Sequence, residues 1–451
     1  MSQDAHKEQR VDILPIVIGG DIGAYALARQ FHEAFDVLPC VLNTDFIAAI
    51  THSRILTTHA LPELSAEVIL EAVCELASEA SQKHVVLIGN TDHVIQLLET
   101  IHTQLPQKVV CVLPSQEAFK SVCDKARFSG LCRAHGLATP QTERIKLAGT
   151  KPIASTELPF PVVAKPAESA QYSSWMKLGL KKVYYFTEQA QLDELWHKLR
   201  DVGFEGDFLV QQLIAGDDTY MDSITIYMGA DGHARMLGAA QVLLEDHAPT
   251  MLGNPVAMVL RQKPELWNKA EEMLASIGWH GFANFDIKRD PQTGVEYFLD
   301  CNPRIGRNSY YNVAGGVNPM RIMVEEALGL GEGEKDVEKL GAGDKDSAGE
   351  KSDEVAKKTS TYAKSTSKKS VRIADQEALY TLVPLQLLRR YIRDPQLLSE
   401  VNGLIAQKKV ANPQHYKADR GSKRMMNVFL TEYNQLRKFA KYYPKPTDSS
   451  F

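Results

Sequence analysis

Apolar residues fall along this chain in short blocks separated by helical spacing. Ile13–Ile18 (ILPIVI), Val37–Leu42, His84–Ile88 and Val109–Leu113 are compact apolar runs. Between them Ala24–Phe35, Ser65–Ala80 and Asp92–Gln104 place apolar residues at helical intervals. Strands alternating with helices predict a parallel α/β sheet. From Ser115 the texture changes: Gln116–His135 reads as a helix or helix pair that stops at Gly136. Strand-like runs follow at Pro161–Lys165, Phe208–Ile214, 220–228 and 234–244. Asn284–Asn302 then reads as a hairpin about the turn Asp290-Pro291-Gln292-Thr293-Gly294. Farther on, Ala378–Tyr391 and Met425–Tyr442 show helical spacing.

The hairpin carries the most informative chemistry. Side chains alternate faces along a strand, so Asn284, Asp286 and Lys288 share one face and Phe298, Asp300 and Asn302 are expected to share one. Asp286 then lies opposite Asp300. Two opposed carboxylates repel unless a cation lies between them. Arg304 and Arg307 follow in a loop with Gly306 that ends in Tyr310 and Tyr311. Carboxylates plus an amide oxygen suit a hard cation such as Mg²⁺, and arginines suit phosphate or carboxylate.

Composition narrows the setting. At 451 residues the chain is expected to form two or three domains. No apolar run reaches the ~20 residues of a membrane-spanning helix, and MSQDAHKEQR lacks the apolar centre of a signal peptide. Six scattered cysteines without Cys-x-x-Cys spacing read as free thiols, so a cytoplasmic location is expected. Thirteen histidines form no zinc-spaced cluster. Residues 1–330 hold 28 Lys/Arg against 40 Asp/Glu, while 371–451 hold 14 against 7. No nucleic-acid partner is expected, because such a binder shows a broad basic footprint. Gly331–Ser370, nearly all small or charged, cannot bury enough apolar surface to offset chain entropy and reads as a disordered insertion or linker.

Several loops carry candidate contacts. Gly19-Gly20-Asp21-Ile22-Gly23-Ala24 fits a dinucleotide fingerprint poorly, since Asp21 stands where the backbone must approach a pyrophosphate. Asp21 could meet a substrate ammonium group or cap a helix, and Asp92 in Asn90-Thr91-Asp92-His93 has the same two readings. Lys165 closes an apolar strand, and the following loop, with Ser173, Ser174, Lys177, Lys181 and Lys182, could fold over phosphates.

The order of lysine in a helix, lysine at a strand end, Ser/Lys loop, strand-Gly-Asp and carboxylate hairpin resembles the ATP-grasp superfamily of carboxylate–amine ligases over roughly residues 10–330. The likeness is most specific in Val162–Lys165, Val210–Asp218 and Asp286–Arg304. It implies an α/β (α+β) chain with a pre-ATP-grasp parallel domain over 1–115, an ATP-grasp domain over 116–330, and a helical C-terminal part over 371–451 packing on the latter. It further implies that Lys125 and Lys165 hold nucleotide phosphates together with Ser173 and Ser174. Gln211, Gln212, Leu213 and Ile214 would form the adenine hinge, and Asp218 would bind ribose. Asp286, Asp300 and Asn302 would be ligands of Mg²⁺, in two ions, with Mn²⁺ as the alternative. Arg304, Arg307 and Lys288 would serve the transferring phosphoryl group or the acid, and Asp21, Asp92, Ser309 and Tyr310 the substrate. Asp300 and Asp218 stand where the family usually has Glu.

Within the superfamily, Ile16–Asp21, Ala28–Glu33 and Asn302–Tyr311 are similar to the D-aspartate ligases of peptidoglycan bridge synthesis. That implies amide formation through an acyl phosphate, with a small amino acid joined to an amine on a UDP-linked muramyl peptide. A ligase making a free dipeptide would share every ATP residue, and a non-catalytic nucleotide-binding regulator is the alternative of another class. Arg389, Arg390, Lys408, Lys409, Arg420, Lys423 and Arg424 are candidates to face a nucleotide-linked substrate.

Overall fold

The computed structural model describes residues 11–167, 175, 179–181, 183–249, 251–330 and 370–448. Ser173, Ser174, Lys177, Lys182 and all but Ser370 of the expected disordered stretch lie outside the described residues.

The N-terminal third forms a parallel sheet of order β3-β2-β1-β4-β5. Its strands are β1 (Ile13–Ile18), β2 (Cys40–Asn43), β3 (Thr57–Ala60), β4 (His84–Gly89) and β5 (Val109–Cys111). Near-continuous apolar runs such as β1 suit strands covered on both faces. The helices Ile22–Phe35, Ala66–Glu79 and Asp92–Ile101 each start where a side-chain oxygen accepts an otherwise unpaired backbone N–H, at Asp21, Ser65 and Thr91 respectively. β3, sequence TTHA, has no apolar pattern to announce it.

Residues 116–134 form two helices, Gln116–Cys123 and Lys125–Ala134, divided at Asp124. Asp124 leaves helical geometry, and its carboxylate accepts from the Arg127 N–H at 2.9 Å. The break places Lys125 at the very start of the second helix.

Next comes a small antiparallel sheet of order β6-β9-β7-β8, from β6 (Thr142–Lys146), β7 (Val162–Pro166), β8 (Tyr184–Phe186) and β9 (Asp207–Gln212). Val162 and Ala164 pack with Phe208, Val210 and Trp196 into its core. Alternation therefore turns Lys165 and Gln211 to the other face.

The largest sheet is β14-β13-β10-β11-β12-β16-β17, with β15 paired alongside β11. It is built from β10 (Met221–Met228), β11 (Ala234–Asp246), β12 (Asn254–Leu260), β13 (Gly281–Arg289) and β14 (Glu296–Asn302). The C-terminal region adds β15 (Arg372–Ile373), β16 (Leu379–Thr381) and β17 (Val410–Ala411). One face is closed by the helix Pro264–Ser276, whose Trp267 and Met273 meet Ile224, Phe285 and Ile287.

Two expectations are corrected here. Ala378–Tyr391 is not one helix: Leu379–Thr381 pairs with β12, and the helix starts only at Leu385, after Pro384. Proline lacks the N–H of a helix interior and sets the entry instead. Nor is the C-terminal part, helical as expected over Leu385–Tyr391, Pro395–Ala406 and Ser422–Tyr442, made of helices alone. It supplies three strands to the large sheet, and Arg29 of the first helix donates to the carbonyls of Asn412 and Pro413 at 3.1 and 2.7 Å.

Candidate active site

The β13–β14 hairpin sets the geometry. Its register pairs Asn284 with Asn302, Phe285 with Cys301 and Asp286 with Asp300, so the opposed carboxylates stand as the alternation predicts. Between Asp286 and Ile287 the register slips by one residue, and Ile287 pairs with Phe298. The extra residue is Leu299. This bulge overturns one expectation: Phe298 does not share the face of Asp300. It joins Phe285 and Ile287 in the core, its ring 5.5 Å from that of Phe285. An inserted residue reverses the facing of all side chains beyond it. The slip has a second effect, because the Leu299 carbonyl accepts from Lys125 Nζ at 3.1 Å.

Lys125 and Lys165 meet at this point from two different elements. Lys125 is ion-paired with Asp300, and Lys165 Nζ lies 3.4 Å from the other oxygen of the same carboxylate. Burial, and then the neighbouring Lys165 charge, push Lys125 well below the usual lysine range, while the charge of Asp286 works the other way. A lysine so placed gains from a polyanion. Asn302 Nδ2 donates to Asp286 at 3.0 Å. Behind it, buried Asn284 accepts from Ser223 and Thr225 at 3.2 and 2.9 Å, which fixes the strand facing the cleft.

The two arginines bind the hairpin to the N-terminal domain. Arg304 pairs with Asp92 at 2.7 Å, and Arg307 with Asp21 at 2.5 Å. Asp21 also caps its helix through the Ala24 N–H at 3.1 Å and accepts from Asn90 at 2.6 Å. Burial works to raise its carboxyl, but the Arg307 guanidinium and these hydrogen bonds hold it below its ordinary value. Arg304 and Arg307 line a pocket together with Asp286, Asn302, Asn308 and Tyr380.

No family model matches the chain. Its sequence is 26% identical over 445 residues to a D-aspartate ligase of Enterococcus faecium, covering 96% of this chain and 97% of that protein. It is also 26% identical over 216 residues to D-alanine–D-alanine ligase B of Xanthomonas campestris, covering 45% and 62%. Among solved structures, the biotin carboxylase domain of a Hydrogenobacter thermophilus 2-oxoglutarate carboxylase, crystallised with MgADP, matches with a TM-score of 0.51. Identity there is 13%, over 70% of this chain and 69% of that one. A Staphylococcus aureus N5-carboxyaminoimidazole synthetase matches at 0.50 with 11% identity, over 71% and 78%. The chain is thus similar in sequence to a D-aspartate ligase and shares the fold of these solved structures.

Gln211–Ile214 leads from the small sheet towards the large one. Gln211 is held by Thr142 Oγ1 at 3.0 Å, and Gln212 accepts from the Gln141 N–H at 3.3 Å. Four other expected residues have their polar groups engaged by the protein itself. Asp218 is buried, accepting from the Glu245 N–H and pairing with His247, both at 2.9 Å. Lys288 is on the Asp286 face as expected, but its ammonium donates to the carbonyls of Gly216 and Asp217 at 2.8 and 3.0 Å. It supports the loop that follows Ile214 rather than the corner where Lys125 and Lys165 meet. Ser309 and Tyr310 face away from the pocket: Ser309 accepts from Gln30 at 3.2 Å, and the Tyr310 hydroxyl donates to Glu33 at 3.0 Å. Their neighbours Asn308 and Tyr380 line the pocket in their place. Tyr380 comes from β16, and only the tertiary pairing of that strand reveals it. Arg424 is also reassigned, being fully buried on Asp419.

The oxygen donors of the hairpin fit a magnesium ion. Among the described residues no group of three or more His, Cys, Asp or Glu forms a metal cage. Two opposed carboxylates and one amide suit a hard ion that keeps waters and shares substrate phosphates.

Proposed function

We propose that this protein is a ligase that activates D-aspartate with ATP and Mg²⁺ and joins it to the side-chain amine of a peptidoglycan precursor stem peptide. The observation that carries the ATP chemistry is the convergence of Lys125 and Lys165 on Asp300, directly opposite Asp286. The similarity to a D-aspartate ligase along nearly the whole chain supports the choice of acid.

Asp286, Asp300 and Asn302 would hold the magnesium ion, which would supply positive charge to offset that of the phosphates. Lys125 and Lys165 then turn from Asp300 to phosphate oxygens. A substrate carboxylate oxygen bonds to the γ-phosphorus as the bond to ADP breaks, with Arg304 placed to offset the developing charge. The acceptor amine next attacks the acyl carbon. The carbon–oxygen bond to phosphate breaks, phosphate leaves, and the nitrogen loses its proton. Arg307, fixed by Asp21, is placed to orient the acid.

Phosphate release from Mg·ATP across a panel of D- and L-amino acids, with UDP-linked muramyl pentapeptide as acceptor, tests the reading. Release is expected to peak with D-aspartate and to require the acceptor. Equal release with free amino acids alone would instead identify a dipeptide ligase.

A further inference from the structure

A cavity of about 450 Å³ opens over the carboxyl ends of β1, β2 and β4, away from the lysine corner. It is lined by residues at and beyond the ends of those strands: Gly19 to Asp21, Asn43, Asp45 to Ile47, Asn90 and Thr91, with Leu64 and Val94. Strand order reverses direction between β1 and β4, and crevices at such a reversal bind ligands in open α/β sheets.

Two glycines make the floor. A Cβ on Gly19 would lie 2.3 Å from Asn90 Oδ1, and one on Gly20 would lie 2.0 Å from the Asp45 carbonyl. Any larger residue would close the crevice from below. One wall is apolar and open to solvent, with Ile47 38% exposed and Phe46 and Leu64 half-buried. The polar end is acidic. Asp21 and exposed Asp45 supply carboxylates, and Asn90, only 4% exposed, has an amide oxygen with no partner. Among the described residues no lysine or arginine lines the cavity. A phosphate or carboxylate ligand would be repelled here, whereas an alkyl chain ending in an ammonium group matches both parts.

The position of Asp21 joins this crevice to the active site. One carboxylate oxygen accepts from Asn90 and the other meets Arg307, which lines the pocket at the hairpin. We propose that the crevice is the acceptor subsite, holding an aminoalkyl arm with its carbons on Phe46, Ile47 and Leu64 and its nitrogen at Asp21. This assignment rests on the ligase reading above, and it explains why an acid occupies a loop where dinucleotide folds need glycine.

The test separates activation from transfer in the full-length protein. Hydroxylamine is small enough to trap the acyl phosphate without an acceptor subsite, so ATP-dependent hydroxamate formation from D-aspartate reports the first half-reaction. Ile47→Glu, at an exposed wall position, is expected to raise the KM for UDP-linked muramyl pentapeptide about tenfold or more while hydroxamate formation stays within about twofold. Asp45→Asn should raise the same KM more modestly. Wild-type-like acceptor KM in both variants, with normal hydroxamate formation, would overturn the subsite alone. No hydroxamate from the wild-type enzyme would overturn the ligase reading and the subsite with it.

Discussion

Two dense charge clusters in this molecule look alike in composition and differ in what completes them. In one, Lys125 and Lys165 converge on Asp300. In the other, Arg424 meets Asp419 at 2.7 Å and donates to the Tyr25 hydroxyl at 2.5 Å and the Gln414 carbonyl at 3.0 Å. Asp419 in turn accepts from Tyr25, Ser53 and the Arg54 N–H at 2.8, 2.8 and 2.7 Å. Side-chain exposure separates the two clusters: 0% for both Arg424 and Asp419, against 19% for each lysine and 36% for Asp300. The second cluster is satisfied by its own chain, and its loss is a loss of stability. The first keeps its carboxylate open to solvent and holds a lysine that burial disfavours in its charged form. Its protein partners are provisional, and a polyphosphate is the natural replacement.

The contrast breaks most sharply at Asp419. Asp419→Ala leaves Arg424 buried without its counter-ion, which is expected to cost about 3–5 kcal/mol. Urea unfolding should show that loss while turnover per folded molecule is retained. An equal fall in specific activity would mean that the two clusters are not separable.

Asp300→Asn probes the other side. The near-isosteric change should lower acceptor-dependent phosphate release by about 10³-fold, as losing a key electrostatic contact does, with little change in the urea midpoint. Normal turnover would remove Asp300 from the metal face.

Asp21–Arg307 lies between the extremes, and its side chains are 35% and 24% exposed. The carboxyl is held below its ordinary 3.8 in the folded protein. Its stabilisation is therefore fully present above the unfolded-state value and is lost as pH falls through the lower folded-state value. Solvent screening keeps the effect small. Asp21→Asn should flatten the acid limb of stability below pH 3.8, and an identical limb in both proteins would refute the assignment.

The opposition of Asp286 and Asp300 was legible because side chains alternate along paired strands. The lysines were legible by order along the chain. Phe298 was misplaced because a single inserted residue, Leu299, leaves no mark on a pattern of period two. Asp218 was assigned to an open site because a sequence cannot show that His247 and the Glu245 N–H already meet it. The β16 strand was read as helix because its apolar residues fit both periods, and with it went Tyr380 from the pocket. Arg424 looked like surface charge for a similar reason: its partner Tyr25 lies 399 residues away.

That separation gives the molecule a timetable. The N-terminal sheet is complete once Cys111 has been made. The helix Ile22–Phe35 nevertheless presents Tyr25 and Arg29 to groups beyond residue 411. At cellular synthesis rates those groups emerge roughly 15–60 s after that sheet is made. Until then one flank of the first helix is bare, and β12 is an open sheet edge from the time Leu260 is made until β16 follows. The nascent chain thus passes through a long-lived half-closed form, and Ser422–Tyr442 acts as the bolt that ends it.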